Sequence, residues 1–110
     1  MPQIDILKYN KHQFSLSNFW GNITEKDGIH KSSSKFPGFK LSSSYHIFEL
    51  EWTPESLTWK INGNVMKKEV NGIPNEPMYV LLSSGIFGKS NGQQFPVFME
   101  VDWVKCYEKV

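Results

Sequence analysis

Gln3, Asp5 and Lys8 place an amide, a carboxylate and an ammonium within the short segment QIDILKY. In strict alternation Gln3, Asp5 and Leu7 share one side of a strand and Ile4 and Ile6 the other. Lys8 joins Asp5 only if an extra residue interrupts the alternation. An exposed Asp–Lys pair formed that way would hold the strand register and contribute about 0–1 kcal/mol. An amide is uncharged and a poor nucleophile. A lysine ammonium has a reference pKa of about 10.4, and a neighbouring carboxylate favours its charged form. It is a weak acid and an inefficient base near neutral pH.

Other groups add little proton-transfer chemistry. Glu49 and Glu51 fall on one face of HIFELEW, and Glu100 and Asp102 on one face of the last strand-like run. Acids at i and i+2 are what a solvated strand face carries. His12, His30 and His46 lie far apart and show no metal-ligand spacing. Gly85, Gly88 and Gly92 sit in a loop with no helix after it, so no phosphate cradle is read there. The one cysteine, Cys106, can form no internal disulfide and reads as a small apolar side chain in a strand-like run. Asn22 opens the sequon NIT, which matters only on a eukaryotic secretory route.

The elements that would position these groups are strands. The 110 residues favour one domain spanning 1–110, and 39% apolar against 21% charged residues favours a folded chain. A formal net charge of +1 argues against a dedicated nucleic-acid binder. No run approaches the length of a membrane span, and the N-terminus shows no signal-peptide pattern. Aromatics reach 15% with four Trp, which serves either a β-rich core or a surface that stacks on sugar rings. QIDILKY and HIFELEW alternate, with Phe48, Leu50 and Trp52 opposite Glu49 and Glu51. SLTWKI and NVMKKEV are joined by Asn62-Gly63, a strong hairpin signal. MYVLLSS reads as a central strand and FMEVDWVKCY as a closing one. Residues 21–44 read as loop with one short strand near GFKL, and residues 85–96 as a second long loop. Trp52 and Trp59 alternate with Leu50, Leu57 and Ile61 and belong to the core. The expectation is an all-β antiparallel sandwich.

IDILKY, YHIFELEWTPESLTWKINGNVM, IPNEPMYVLLSSGIFG and MEVDWVKCY, in that order and spacing, resemble the C-terminal half of glycoside hydrolase family 16. This is the laminarinase, lichenase and carrageenase group acting on β-glucans and galactans. The resemblance runs from Pro2 to Tyr107. It implies a jelly-roll, concanavalin-like sandwich with a cleft on its concave sheet, incomplete here because the family's N-terminal strands are missing. The family's catalytic strand reads E-x-D-x-x-E, or E-x-D-x-E in lichenases, with a nucleophile, a helper and an acid/base. Matched to the longer form, Gln3 takes the nucleophile position, Asp5 the helper, Leu7 the bulge and Lys8 the acid/base. In the unbulged register Leu7 would take the acid/base position. Neither register supplies the two carboxylates, roughly 5–5.5 Å apart, that a retaining glycosidase needs.

The resemblance further implies that Trp20 and Trp103 could line a cleft, with Asn18 and Gln3 offering polar atoms to sugar hydroxyls, and Asp5 a further acceptor. Asp102 stands where lichenases hold a structural calcium. Calcium takes about six to eight oxygen ligands, and the others of that site belong to the missing part, so no cofactor is expected. His46 reads as structural. The expectation is a family-16-like protein that hydrolyses poorly or not at all and at most binds a β-glucan or galactan. The alternatives are an endo-glycosidase completed by a partner chain and a structural or interaction module with a partner or self-association. Family members are typically secreted.

Overall fold

The computed structural model describes residues 2–10, 13–22, 24, 26, 28–38, 44–83 and 99–108. His12, most of GFKL and the loop glycines 85, 88 and 92 lie outside the described residues. The chain falls into two compact units, Met1–Pro77 and Met78–Val110.

The first unit is all-β, as the alternation requires. Its strands are β1 (Gln3–Asn10), β2 (Gln13–Gly21), β3 (Ile29–Pro37), β4 (Phe48–Trp52), β5 (Leu57–Ile61) and β6 (Asn64–Glu69). They make two antiparallel sheets, ordered β1-β2-β3 and β4-β5-β6. The core lies between the two central strands: Phe14 and Leu16 of β2 meet Leu57, Trp59 and Ile61 of β5. Ile4, Leu7, Phe36, Phe48, Leu50, Met66 and Ile73 pack around them. Each strand thus turns one face inward at period two, and the inner faces interdigitate as in a sandwich.

The β5–β6 hairpin forms at Asn62-Gly63, with φ of 51° and 84°, the two positive values that a tight hairpin turn matching strand twist demands. Asn62 also accepts from the amide of Ile47 at 2.9 Å through Oδ1, and its own amide donates to the Ile47 carbonyl at 2.8 Å. Its side-chain nitrogen lies 3.1 Å from Nδ1 of His46, so His46 helps fix the turn. Thr53 forms the break before β5: its Oγ1 accepts from the amide of Ser56 at 3.1 Å.

One strand adds to the sequence expectation and one departs from it. β2 is a full strand in a stretch whose pattern carries no assignment, and β3 runs through IHKSSSKFP, where the polar composition predicts loop. β3 forms because it pairs with β2 over nine consecutive positions, alternating Ser32, Ser34 and Phe36 inward with Lys31, Ser33 and Lys35 outward. Weak intrinsic strand preference is overridden by partnering. Lys67 of β6 clamps it from the other sheet, donating to Ser32 Oγ at 2.9 Å and Ser34 Oγ at 3.0 Å.

In the second unit the described parts of MYVLLSS and of FMEVDWVKCY are not strands. An apolar run becomes a central strand only where neighbours supply its ladder and cover both faces, and the described residues of these segments belong to neither sheet. Tyr79 is 88% and Tyr107 85% exposed.

Candidate functional site

The site begins with an irregularity in β1. Its register against β2 runs Gln3↔Phe19, Asp5↔Ser17 and then Lys8↔Ser15. Ile6 and Leu7 therefore share the place opposite Leu16, a β-bulge that inserts one residue. Leu7 packs on the core, and the side chain after it returns to the outer face. The bulged register is the one the longer motif requires, and it puts Gln3, Asp5 and Lys8 on a single face; the unbulged alternative for Leu7 does not occur.

A bulge strips main-chain groups of ladder partners, and here the loss is made good from the core. The fully buried Trp59 donates from Nε1 to the carbonyl of Asp5 at 2.9 Å. On the outer face Gln3 Nε2 donates to Asp5 Oδ1 at 2.9 Å, so the amide orients the carboxylate. Gln3 and Lys8 are exposed and Asp5 half-buried.

Continuing the register to β3 gives three rows of outward residues: Lys8–Ser15–Lys35, Asp5–Ser17–Ser33 and Gln3–Phe19–Lys31. Residues in one row stand about 4.8 Å apart per strand. The buried Ser17 shares a hydrogen bond of 2.7 Å with the exposed Ser33, and the Lys31 ammonium lies 5.7 Å from the centroid of Phe19. The face thus offers hydroxyls, amides, an aromatic ring and charge, a set suited to a hydroxyl-rich ligand.

Asn18 and Trp20 are placed elsewhere. They alternate with Phe14 and Leu16 on the inner side of β2. Asn18 is fully buried, and its Nδ2 donates to the carbonyls of Asn71 at 3.0 Å and Gly72 at 3.5 Å. Trp20 lies against Gly72 and stacks on His30, ring centroids 5.7 Å apart. The aromatic of NFWGN that shares the outer face is Phe19, which the sequence reading missed. The alternation Phe14, Leu16, Asn18, Trp20 carried that signal.

Glu49 and Glu51 face away from the core on β4, on the side of the sandwich opposite Asp5. Glu51 pairs with Lys60, whose pKa is raised by that hydrogen bond. They do not supply the missing carboxylates to the β1 face. Trp103, Glu100 and Asp102 belong to the second unit, where the Lys105 ammonium stands 4.9 Å from the centroid of Trp103. Among the described residues no group of three or more His, Cys, Asp or Glu could hold a metal ion.

Comparison with known proteins gives the following. The family described as glycosyl hydrolases family 16 matches residues 4–105. A beta-glucanase of Brevibacillus brevis is 29% identical over 75 residues, covering 62% of this chain and 29% of the relative. A beta-glucanase of Fibrobacter succinogenes is 27% identical over 116 aligned residues, covering 96% of this chain and 32% of the relative. A glucan endo-1,3-beta-glucosidase A1 of Niallia circulans is 24% identical over 94 residues, 67% of this chain and 14% of the relative. The chain spans about a third of the length of the two beta-glucanases. No solved structure matches.

Proposed function

The chain belongs to the glycosyl hydrolases of family 16, and from that premise we propose that it is a glycosidase-like protein that holds a β-glucan or galactan chain on the outer face of β1–β3 and hydrolyses it poorly or not at all. The observation that carries this reading is the bulged strand β1. Its register gives Gln3, Asp5 and Lys8 one common face, in the order in which the family motif has Glu, Asp and Glu. Retaining hydrolysis needs one carboxylate to attack the anomeric carbon and a second to protonate the leaving oxygen. Gln3 cannot form the glycosyl ester, and Lys8 cannot shuttle a proton efficiently near neutral pH. Asp5, oriented by Gln3, remains a hydrogen-bond acceptor for sugar hydroxyls. Phe19, Ser15 and Ser33 add an aromatic face and further hydroxyls.

The test is a proton–nitrogen NMR titration of the chain with laminarin-type, mixed-linkage and agaro-oligosaccharides, run beside a reducing-end assay. The amides of Gln3, Phe19 and Ser33 shift on titration while those of Trp59 and Asn18 do not, and no reducing ends accumulate. Indifference to every sugar refutes binding. Hydrolysis that depends on Gln3 or Lys8 refutes impairment.

A second reading, an interaction module, is favoured by the exposed Tyr79, Leu81 and Tyr107 of the second unit. Exposed apolar side chains in such number favour association. Light scattering coupled to size exclusion decides it: a monodisperse monomer across concentrations removes this reading.

A further inference from the structure

Three Asn-Gly pairs occur in the chain: Asn62-Gly63, Asn71-Gly72 and Asn91-Gly92. The third lies outside the described residues. A glycine has no Cβ to shield its backbone nitrogen, so that nitrogen can reach the side-chain amide of the Asn before it. Asn62 and Asn71 are closely matched in sequence. Both are exposed, and both follow a β-branched residue, Ile61 and Val70. Their settings differ. Asn62 sits in the β5–β6 turn, which the pairing Ile61↔Asn64 closes. Its Oδ1 accepts from the Ile47 amide at 2.9 Å, and its Nδ2 lies 3.1 Å from His46 Nδ1. Turning its Cγ onto the Gly63 nitrogen would break both contacts. Asn71 follows the end of β6 at Glu69 and belongs to no strand. Among the described residues its side chain makes one long hydrogen bond, from Nδ2 to Glu69 Oε2 at 3.4 Å.

From this contrast we infer that Asn71 is a site of spontaneous deamidation, with water as co-reactant, and that the change loosens the contact between the end of β6 and Asn18 of β2. The Gly72 amide yields its proton to hydroxide, and the nitrogen attacks Cγ of Asn71. The new C–N bond closes a succinimide ring. The Cγ–Nδ2 bond breaks, and Nδ2 takes a proton from water and departs as ammonia, which restores the hydroxide. Water then opens the ring. Addition at Cγ breaks the new bond and gives aspartate. Addition at the main-chain carbonyl carbon breaks the original peptide bond and gives isoaspartate, in which the chain runs through Cβ. The acid formed passes its proton to the ammonia. Both products set a carboxylate where Glu69 Oε2 had an amide donor. The main-chain carbonyls of Asn71 and Gly72 accept from Nδ2 of the fully buried Asn18 at 3.0 Å and 3.5 Å. In the isoaspartate the first of these oxygens becomes part of a free carboxylate. It then either brings charge to a buried amide or leaves that amide short of an acceptor. Asn18 Oδ1 is already buried without a hydrogen-bond partner among the described residues. A buried charge and an unpaired buried amide are both destabilising.

The experiment incubates the full, unaltered chain at neutral and at mildly alkaline pH, in native buffer and in denaturing urea. Digestion and mass spectrometry then read each Asn in its own peptide. In the native chain Asn71 converts about tenfold or more faster than Asn62, whose two side-chain contacts must open first. In urea the two rates converge. Conversion rises with pH, because hydroxide takes the Gly72 proton. Chain converted at Asn71 is separated by ion exchange, since its formal net charge falls from +1 to zero, and it unfolds at a lower urea concentration than the parent. Equal native rates, a faster Asn62 or no conversion at Asn71 overturns the inference. A preference for Asn71 that persists undiminished in urea assigns it to local sequence rather than to the fold and overturns it as well. An unchanged urea midpoint in the converted chain overturns the claim that the contact with Asn18 is loosened.

Discussion

The indole nitrogen of Trp59, at the centre of the core, donates to the main-chain carbonyl of Asp5 at 2.9 Å, joining the middle of one sheet to the bulge of the other. The bulge reorients everything C-terminal to Ile6, so this single bond helps decide which side chains reach the outer face. Trp59→Phe keeps a ring in the core but leaves the carbonyl without its donor. An orphaned buried acceptor costs about 1–3 kcal/mol. Urea unfolding monitored by circular dichroism measures it, and an unchanged midpoint would show that the bond contributes nothing to holding the bulge.

Gly72 and Gly63 separate packing from backbone strain. Both have positive φ, 67° and 84°. A Cβ at Gly63 would meet nothing, whereas one at Gly72 would fall within the indole of Trp20. Gly63→Ala costs about 1–2 kcal/mol, the left-handed penalty for an L-residue. Gly72→Ala costs that plus about 1–3 kcal/mol of overpacking. Thermal unfolding of the two variants side by side gives the difference, and equal losses would mean that Trp20 yields without cost.

These contacts also mark what the sequence disclosed. HIFELEW declared its inner face through Phe48 and Leu50, and Asn62-Gly63 declared its turn, because both signals are local; Trp52, expected in the core with them, is instead 39% exposed at the end of β4. The bulge was legible only through the spacing Gln3-x-Asp5-x-x-Lys8 and the resemblance it carries, since two residues sharing one cross-strand place leave no compositional trace. β3 was hidden because Ser32, Ser33 and Ser34 acquire strand geometry from β2 rather than from their own preference. Of the adjacent aromatics Phe19 and Trp20, one must point out and one in. Only the register of β2 says that Phe19 joins Asp5 while Trp20 covers Gly72. MYVLLSS shows the converse limit: strong propensity in a segment that no described strand pairs with does not make a strand.

Glu69 gives the fold an acid-sensitive joint. The hydroxyl of Ser32 donates to its carboxylate, the amides of Asn71 and Val70 add to this, and the Lys67 ammonium lies nearby; together they hold its pKa below 4.5 against the opposing effect of burial. A carboxylate with a lowered folded-state pKa stabilises the fold at pH above the unfolded value and loses that contribution as pH falls through the folded value. Glu69→Gln is therefore destabilising by a constant amount between about pH 7 and pH 5, and the gap between it and the unaltered protein closes below 4.5. Urea midpoints across this range test the sign. A gap that widens on acidification would mean that the carboxyl is better accommodated protonated.

Restoring the carboxylates tests whether the bulged strand still presents a working geometry. Gln3→Glu supplies a nucleophile and Lys8→Glu an acid/base on the face that the Asp5/Lys8 register shift creates. Neither alone completes the pair. Groups that act as a unit are strongly non-additive, and a positioned acid/base contributes about 10²–10⁴-fold. The double variant therefore exceeds either single variant in glycan hydrolysis by about 10²-fold or more, and the product keeps the anomeric configuration of the substrate, as a carboxylate pair at short separation requires. Proton NMR of the first turnover products reads both rate and configuration. A folded, glycan-binding double variant without hydrolysis would locate the loss of activity beyond Gln3 and Lys8, and inversion of configuration would mean that the two carboxylates stand too far apart for one to attack the sugar directly.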